Sequence, residues 1–248
     1  MIIDVHVHIL EPLNQPKHTR RLLDLADRFG VDKMCIFLGK NLKRYKNARE
    51  VRETNDVALD MMRRHPDRFI GFCFLNPRVG KKCLDELRRC VGEGMRGIKL
   101  WTECACDNPL VFPIVEGAID LNIPILQHTW KITGGQDADH SDPDQFARLA
   151  MKYPEARLIM GHTGGNWAYG LRTVRHLPNV WVDTGGGNAF AGSVDLACRE
   201  VGPHRVLFGS DVPVRSWASQ LAKVDGADIP ASFRRMIMGS NARGVLGL

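Results

Sequence analysis

A chain of 248 residues with 44% hydrophobic and 25% charged residues is long enough for one large domain or two small ones, and a single (β/α) barrel typically takes about 250 residues. No run of about 18 apolar residues is present, which excludes a transmembrane helix, and no basic n-region precedes the first apolar stretch, so a cytoplasmic protein is expected. The net charge of +6, with Lys40, Lys43, Arg44, Lys46, Arg49 and Arg52 close together, suits a solvated face or the steering of an anionic substrate. A nucleic-acid surface would usually show a stronger basic footprint, or aromatics interleaved with the basic residues.

The chain opens with Met1-Ile2-Ile3-Asp4-Val5-His6-Val7-His8, an alternating strand. Alternation predicts that Asp4, His6 and His8 share one face and that Ile3, Val5 and Val7 share the other. A helix follows over 18–29, with Leu22, Leu25, Ala26 and Phe29 on one stripe and Gly30 as its stop. Then come a strand over 31–38, a helix over 48–64 closed by His65-Pro66, a strand over 69–75 ended by Asn76-Pro77, and a helix over 81–91. The second half repeats the pattern. Strands are expected over 97–100, 123–127, 156–160, 180–182 and 206–208. Helices are expected over 110–121, 143–152 (capped by Ser141 or Asp142), 166–176, 191–200 and 231–238, with a last turn near Asn241.

Eight strand–helix units in 248 residues average about 31 residues each, the size of one βα unit. Apolar strands alternating with amphipathic helices indicate a parallel sheet covered on its outer face, and eight units indicate closure into a (β/α)8 barrel spanning 1–248 as one domain. An open doubly wound sheet would carry a Gly-rich turn after its first strand; Ile9-Leu10-Glu11-Pro12 stands there instead. The seven cysteines are irregularly spaced, which fits reduced thiols.

In such a barrel the chemistry gathers at the C-terminal ends of the strands. That rim receives His6 and His8 from the first strand, Lys99 from the fourth, His128 from the fifth, His162 from the sixth, Asp183 from the seventh and Asp211 from the eighth. Two imidazoles two residues apart at a strand end can grip one metal ion. Taken singly, His128 or His162 also fits a hydrogen-bonded core histidine, Asp211 a helix cap, and Asp4 a structural acid. Asp183 fits a group that orients an imidazole or a guanidinium.

The ordered set Asp4-Val-His6-Val-His8, His128, Gly161-His162-Thr-Gly-Gly, Gly209-Ser-Asp211 and the closing Asn241-Ala-Arg-Gly-Val-Leu-Gly-Leu248 resembles the amidohydrolase superfamily, in particular its amidohydrolase-related branch. The resemblance implies a TIM barrel holding a divalent metal, most often one Zn2+, with His6, His8, His128 and Asp211 as ligands. It implies that His162 polarises the substrate or holds the attacking water, and that Asp211 moves the proton. In binuclear branches His162 would bind a second metal, bridged to the first by a carboxylated Lys99; Lys99 can equally meet a substrate carboxylate. A metal that lowers the pKa of bound water from 15.7 toward ~7 makes hydroxide available at neutrality. The implied reaction is therefore hydrolysis of a C–O or C–N bond in a small carboxylated lactone or amide. The alternative on the same metal site is non-oxidative decarboxylation of a small aromatic acid.

For the substrate, Glu11, Lys40, Arg44, Arg78, Trp101, Trp130 and Arg215 are candidates by position after the strands. Arg78 and Arg215 could clamp a carboxylate, and Trp101 and Trp130 could stack on a ring. The expected partner is a small molecule, with no nucleic acid and no membrane, in a chain that can form a homo-oligomer.

Overall fold

The computed structural model describes residues 1–13, 15–38, 42–44 and 46–248; Lys40 lies outside the described residues. Eight parallel strands run in sequence order, β1 (Ile2–His8), β2 (Val31–Phe37), β3 (Phe69–Phe74), β4 (Gly97–Leu100), β5 (Ile125–Gln127), β6 (Leu158–Met160), β7 (Val180–Asp183) and β8 (Val206–Leu207). The ring closes between its last and first members. Val5 N donates to Phe208 O at 2.9 Å, Asp211 N to His6 O at 2.8 Å and His8 N to Val212 O at 2.7 Å, and Val7 bridges Val212 in parallel. This is the (β/α)8 barrel expected from the sequence.

Helices α1 (Pro16–Arg28), α2 (Ala48–Arg64), α3 (Lys81–Gly92), α4 (Phe112–Asp120), α5 (Pro143–Lys152), α6 (Trp167–Val174), α7 (Ser193–Glu200) and α8 (Trp217–Asp225) follow the strands in turn. Local chemistry starts several of them. Asn47 and Glu50 form a reciprocal capping box at α2, and Asp142 and Gln145 form another at α5, where Pro143 occupies the first turn. Each such box satisfies two of the backbone N–H groups that a helix start leaves unpaired. No helix among the described residues is long and apolar enough to cross a membrane.

Strand alternation divides the apolar residues into two layers. Ile3, Val5, Phe37, Phe72, Leu126, Ile159 and Leu207 fill the barrel. Met34, Ile36, Cys73, Ile98, Ile125, Leu158 and Val182 face the helices and pack with residues such as Leu22, Leu87 and Phe146. Gly97 makes room for this filling, because a Cβ there would meet the Phe72 ring at 2.8 Å.

Two expectations are corrected. Asp4 does not share a face with the histidines. The β1–β2 register slips between Ile2 and Ile3 and again between Asp4 and Val7. Ile3 and Val5 accordingly lie in the barrel, while Asp4 turns toward α8 and accepts a 2.7 Å hydrogen bond from Trp217 Nε1. The irregularity lets His6 and His8 face the mouth although Val5 already points inward, as a bulge does when it re-aims side chains beside a site. The eighth helix is Trp217–Asp225, which the chain-order reading passed over; the stretch read as helix over 231–238 is a short helix, α9 (Ala231–Arg235), running into a π turn, Met236–Ser240, before α10 (Asn241–Leu246). The signal for α8 was present in the Ser216 cap and in Trp217, Leu221 and Val224, which are buried at helical spacing.

Candidate metal centre

The strand ends place His6, His8, His162 and Asp211 around one point. His6 Nδ1 lies 2.7 Å from Asp183 Oδ2, and the other oxygen of Asp183 accepts from the backbone N–H groups of His162 (2.8 Å) and Gly185 (2.9 Å). An ionised carboxylate can only accept, so these partners put the His6 proton on Nδ1 and leave its Nε2 lone pair facing the centre. That Nε2 lies 3.6 Å from Asp211 Oδ1, and His8 Nε2 lies 3.2 Å from the same oxygen. Among the described residues, His6, His162 and Asp211 form a group whose ligand atoms all fall within 4.8 Å of one another. His162 Nδ1 faces Gly185 O at 3.2 Å, and His162 Nε2 faces His128 Nδ1 at 3.1 Å. His128 thus reaches the cluster through His162.

The backbone bends sharply to deliver these side chains. His162, Thr163 and Asp211 adopt φ values of 59°, 46° and 67°, a left-handed region that costs a non-glycine residue energy and is held only where the surroundings enforce it. Gly186 shows why the neighbouring loop is glycine-rich. Its φ is 68°, and a Cβ on it would lie 2.3 Å from His162 Nδ1.

Burial governs the charges. It lowers the pKa of all four imidazoles, His162 to about 4 and His128 well below the usual range. Burial pushes Asp183 up, but His6 and the surrounding donors outweigh it and hold the carboxyl at about 2. Asp211 is likewise raised by burial and held below the ordinary carboxylate range by the His8 hydrogen bond and the nearby imidazoles. The result is a set of neutral imidazoles around an ionised carboxylate.

That donor set fits a divalent cation. Neutral imidazole nitrogen and carboxylate oxygen are the right ligand types, and the carboxylate behind His6 is the supporting contact such ligands usually have. His8 Nδ1 is buried without a hydrogen-bond partner, so its ring is held by packing against Phe37, at 4.9 Å between centroids, and by what its Nε2 meets. Lys99 lies inside the barrel, fully buried, with Nζ 3.4 Å from His6 Nε2 and 4.7 Å over the Phe37 ring. Burial lowers its pKa to about 8.

The residues expected to bind substrate divide. Trp130 stands edge-on to His162, 5.4 Å between centroids, and Trp101 packs on the inner apolar layer. Arg78 is engaged by Glu103 O (2.5 Å) and Asp139 Oδ1 (2.6 Å), and Arg44 by Thr102 O and Asp137. Arg215 is exposed and donates to Val214 O, and Glu11 is exposed. Neither Arg78 nor Arg215 is drawn into the imidazole cluster.

Two residues escaped the sequence reading. Lys223, on the unforeseen α8, donates to Thr184 O and Gly186 O and so ties the glycine loop beside His162. Glu103 follows β4 and is buried, with no partner of full hydrogen-bond geometry on either carboxylate oxygen. The cleft between His162, Trp167, Phe190 and Lys223 holds only about 30 Å3, room for a water or two and not for an aromatic ring.

Comparison with known proteins adds three findings. The amidohydrolase family model matches residues 3–248. The chain is 24% identical to a gamma-resorcylate decarboxylase of Polaromonas sp. (strain JS666) over 94% of its own length and 90% of that protein. In fold it resembles the dihydroxybenzoic acid decarboxylase of Polaromonas sp. JS666, solved with bound manganese and the inhibitor 2-nitroresorcinol (TM-score 0.80, 19% identity, 100% of this chain and 97% of that one). It also resembles the 5-carboxyvanillate decarboxylase of Sphingomonas paucimobilis (TM-score 0.80, 15% identity, 100% and 99%). These relatives are decarboxylases, which overturns hydrolysis of a lactone or amide as the leading expectation and favours its alternative. The bound ion of the first of these structures is manganese, where the sequence reading of this chain expected zinc.

Proposed function

The chain belongs to the amidohydrolase family, and from that membership and the geometry of the mouth we propose that it is a metal-dependent, non-oxidative decarboxylase of a small hydroxylated aromatic acid. The observation that carries the reading is the convergence of His6 Nε2 and His8 Nε2 on Asp211 Oδ1, at 3.6 and 3.2 Å, with Asp183 fixing His6 from behind. On this reading His6, His8, His128 and Asp211 hold one divalent ion, Mn2+ or Zn2+. When bound, that ion supplies positive charge against the carboxylate and hydroxyl oxygens of the substrate.

The chain's own residues do the rest. Asp183 keeps the His6 proton on Nδ1. Asp211, ionised among neutral imidazoles, accepts the proton of the substrate hydroxyl and returns it to the ring carbon that bears the carboxylate. The C–C bond then breaks, its electron pair closes the ring system, and CO2 leaves; substrate carboxylate and proton become CO2 and a C–H bond. His162, neutral, donates from Nδ1 to Gly185 O and accepts from His128 Nδ1 at Nε2, which fixes the His128 tautomer and leaves the His128 Nε2 lone pair for the ion. Trp130 shields that side from water. Lys99, beneath His6, balances the negative charge of the occupied site. A bridging carbamate on Lys99 would need a second ion, and among the described residues the converging donors form one group, which favours one ion.

The test is direct. Protein loaded with Mn2+ or Zn2+ is incubated with 2,6-dihydroxybenzoate, 5-carboxyvanillate and simple hydroxybenzoates, and CO2 release and ring products are followed by NMR. Turnover of at least one acid, lost in His6→Ala together with metal content, supports the proposal. Hydrolysis of lactones or amides with no CO2 released from any acid sinks it.

A further inference from the structure

Glu103 is 1% exposed, yet neither of its carboxylate oxygens meets a partner with full hydrogen-bond geometry, only its own N–H and that of Thr102 approaching the carboxyl. Buried polar groups are nearly always paired, and an unpaired carboxyl costs several kcal/mol as a rule of thumb, so such a group calls for an explanation. Poor placement of a flexible side chain does not supply one. The backbone at Glu103 is clamped by two guanidinium groups, Arg44 on Thr102 O (3.1 and 2.9 Å) and Arg78 on Glu103 O.

The surroundings locate the carboxyl at the mouth. Lys99 of β4 pairs in register with Phe74 of β3, and Phe74 belongs to the inner layer of the barrel. Lys46 Nζ lies over that Phe74 ring at 5.2 Å and over Trp101 at 5.9 Å. The charge of Glu103 acts on Lys46 above and on Lys99 within. Glu103 therefore lies on the β3–β4 side of the opening, in the segment that leaves β4, two residues beyond Trp101 and held by Arg78 from the segment after β3. That is a different wall from the narrow cleft behind His162, which is too small for a ring.

We infer that Glu103 is a specificity-determining residue whose free oxygens accept a hydrogen bond from a hydroxyl or amino substituent on the ring of the substrate, with Trp101 alongside that ring and Lys46 beside the acid. A site built around a buried acceptor rewards the ligand that carries the donor and rejects the analogue that lacks it, because the acceptor is then left unpaired. The inference rests on the decarboxylase reading only for the class of ligand, a donor-bearing aromatic acid.

Binding distinguishes the two ideas. Dissociation constants of benzoate, the three monohydroxybenzoates and the aminobenzoates are measured by calorimetry on Mn2+-loaded wild type, Glu103→Leu and Glu103→Gln. Circular dichroism and metal content establish that the variants are folded and loaded. The expected result is that one donor-bearing isomer binds wild type about tenfold or more tighter than benzoate. In Glu103→Leu that advantage falls to within about twofold with benzoate unchanged, and Glu103→Gln, which keeps an acceptor, retains part of it. An advantage that persists in Glu103→Leu, or no isomer that outbinds benzoate on wild type, overturns the inference. CO2 release is scored separately on the same samples. Release with unaltered discrimination in Glu103→Leu removes the Glu103 site and leaves the decarboxylase reading; lost discrimination without release by wild type does the reverse.

Discussion

Asp183→Asn puts the arrangement behind His6 to the test. Asp183 Oδ1 accepts two backbone N–H groups, from His162 at 2.8 Å and Gly185 at 2.9 Å, so in the variant the amide oxygen must stay there. The new NH2 then faces His6 Nδ1, which in the native protein donates to Asp183 Oδ2 at 2.7 Å. Two donors cannot share that contact. His6 must move its proton to Nε2, the nitrogen that faces Asp211, and an imidazole protonated there is no ligand. Contacts of this kind behind a metal ligand are worth about 10- to 100-fold in affinity, or about 1.4–2.8 kcal/mol. A second consequence concerns acid. The Asp183 pKa is depressed in the fold from 3.8 to about 2, so it contributes stability that is present above pH ~4 and is lost as pH falls toward 2, about 2 kcal/mol in all. The variant lacks this term and should unfold with a shallower slope in that window. Chelator competition gives the metal affinity, and urea unfolding of metal-free protein between about pH 2 and 5 gives the slope. An Asp183→Asn protein that binds metal as tightly as wild type would show that the His6 tautomer is not set by Asp183.

Three further outcomes follow from other contacts. Gly186→Ala places a methyl 2.3 Å from His162 Nδ1 at a φ of 68°; turnover should fall at least about tenfold through displaced His162, and a crystal structure of the variant with His162 unmoved would contradict this. Trp217→Phe removes the 2.7 Å hydrogen bond from Nε1 to the buried Asp4 carboxylate; stability should drop by about 1–3 kcal/mol with metal affinity preserved, as read by urea unfolding and chelator competition. Burial raises the Glu103 pKa from 4.5 to about 7 against the pull of Lys46 and Arg44. Its contribution is then present below about pH 4.5 and lost as pH rises through 7, by of order 3 kcal/mol; Glu103→Gln should abolish that decline in an unfolding series from about pH 5 to 8, and an unchanged decline would assign it elsewhere.

The barrel was legible because its signals are local. Apolar runs such as Phe69–Phe74 and the capping boxes at Asn47 and Asp142 state their element types within a few residues. The rim histidines were legible for the same reason, as each stands at the end of such a run. What escaped depends on contacts distant in sequence. The slip that parts Asp4 from His6 is set by pairing with β2 and by a tryptophan 213 residues away. Arg78 looked free to clamp a carboxylate, but the loop after β5 brings Asp139 to it across 61 residues. Strict alternation gave the right side for His6 only because it assigned the wrong side to Ile3, Val5 and Asp4.

The reaction was the least legible part, and the geometry explains why. Hydrolysis and decarboxylation ask the same of His6, His8 and Asp211: a preformed set of neutral imidazoles and one carboxylate around one cation. What differs is where the proton goes and what the wall opposite the metal recognises. A hydrolase delivers a proton to a leaving oxygen or nitrogen and needs room for a water on the attacked carbon. A decarboxylase delivers it to carbon and must keep the ring fixed while CO2 departs. The discriminating residues are therefore those that hold a ring, and the proposal places them on the β3–β4 side, with Trp101 on the inner layer, Lys46 over it and the buried Glu103 two residues beyond Trp101. A metal-site motif can name a superfamily, while a buried acceptor such as Glu103 stands in no motif, because its burial is visible only once the chain has folded around it.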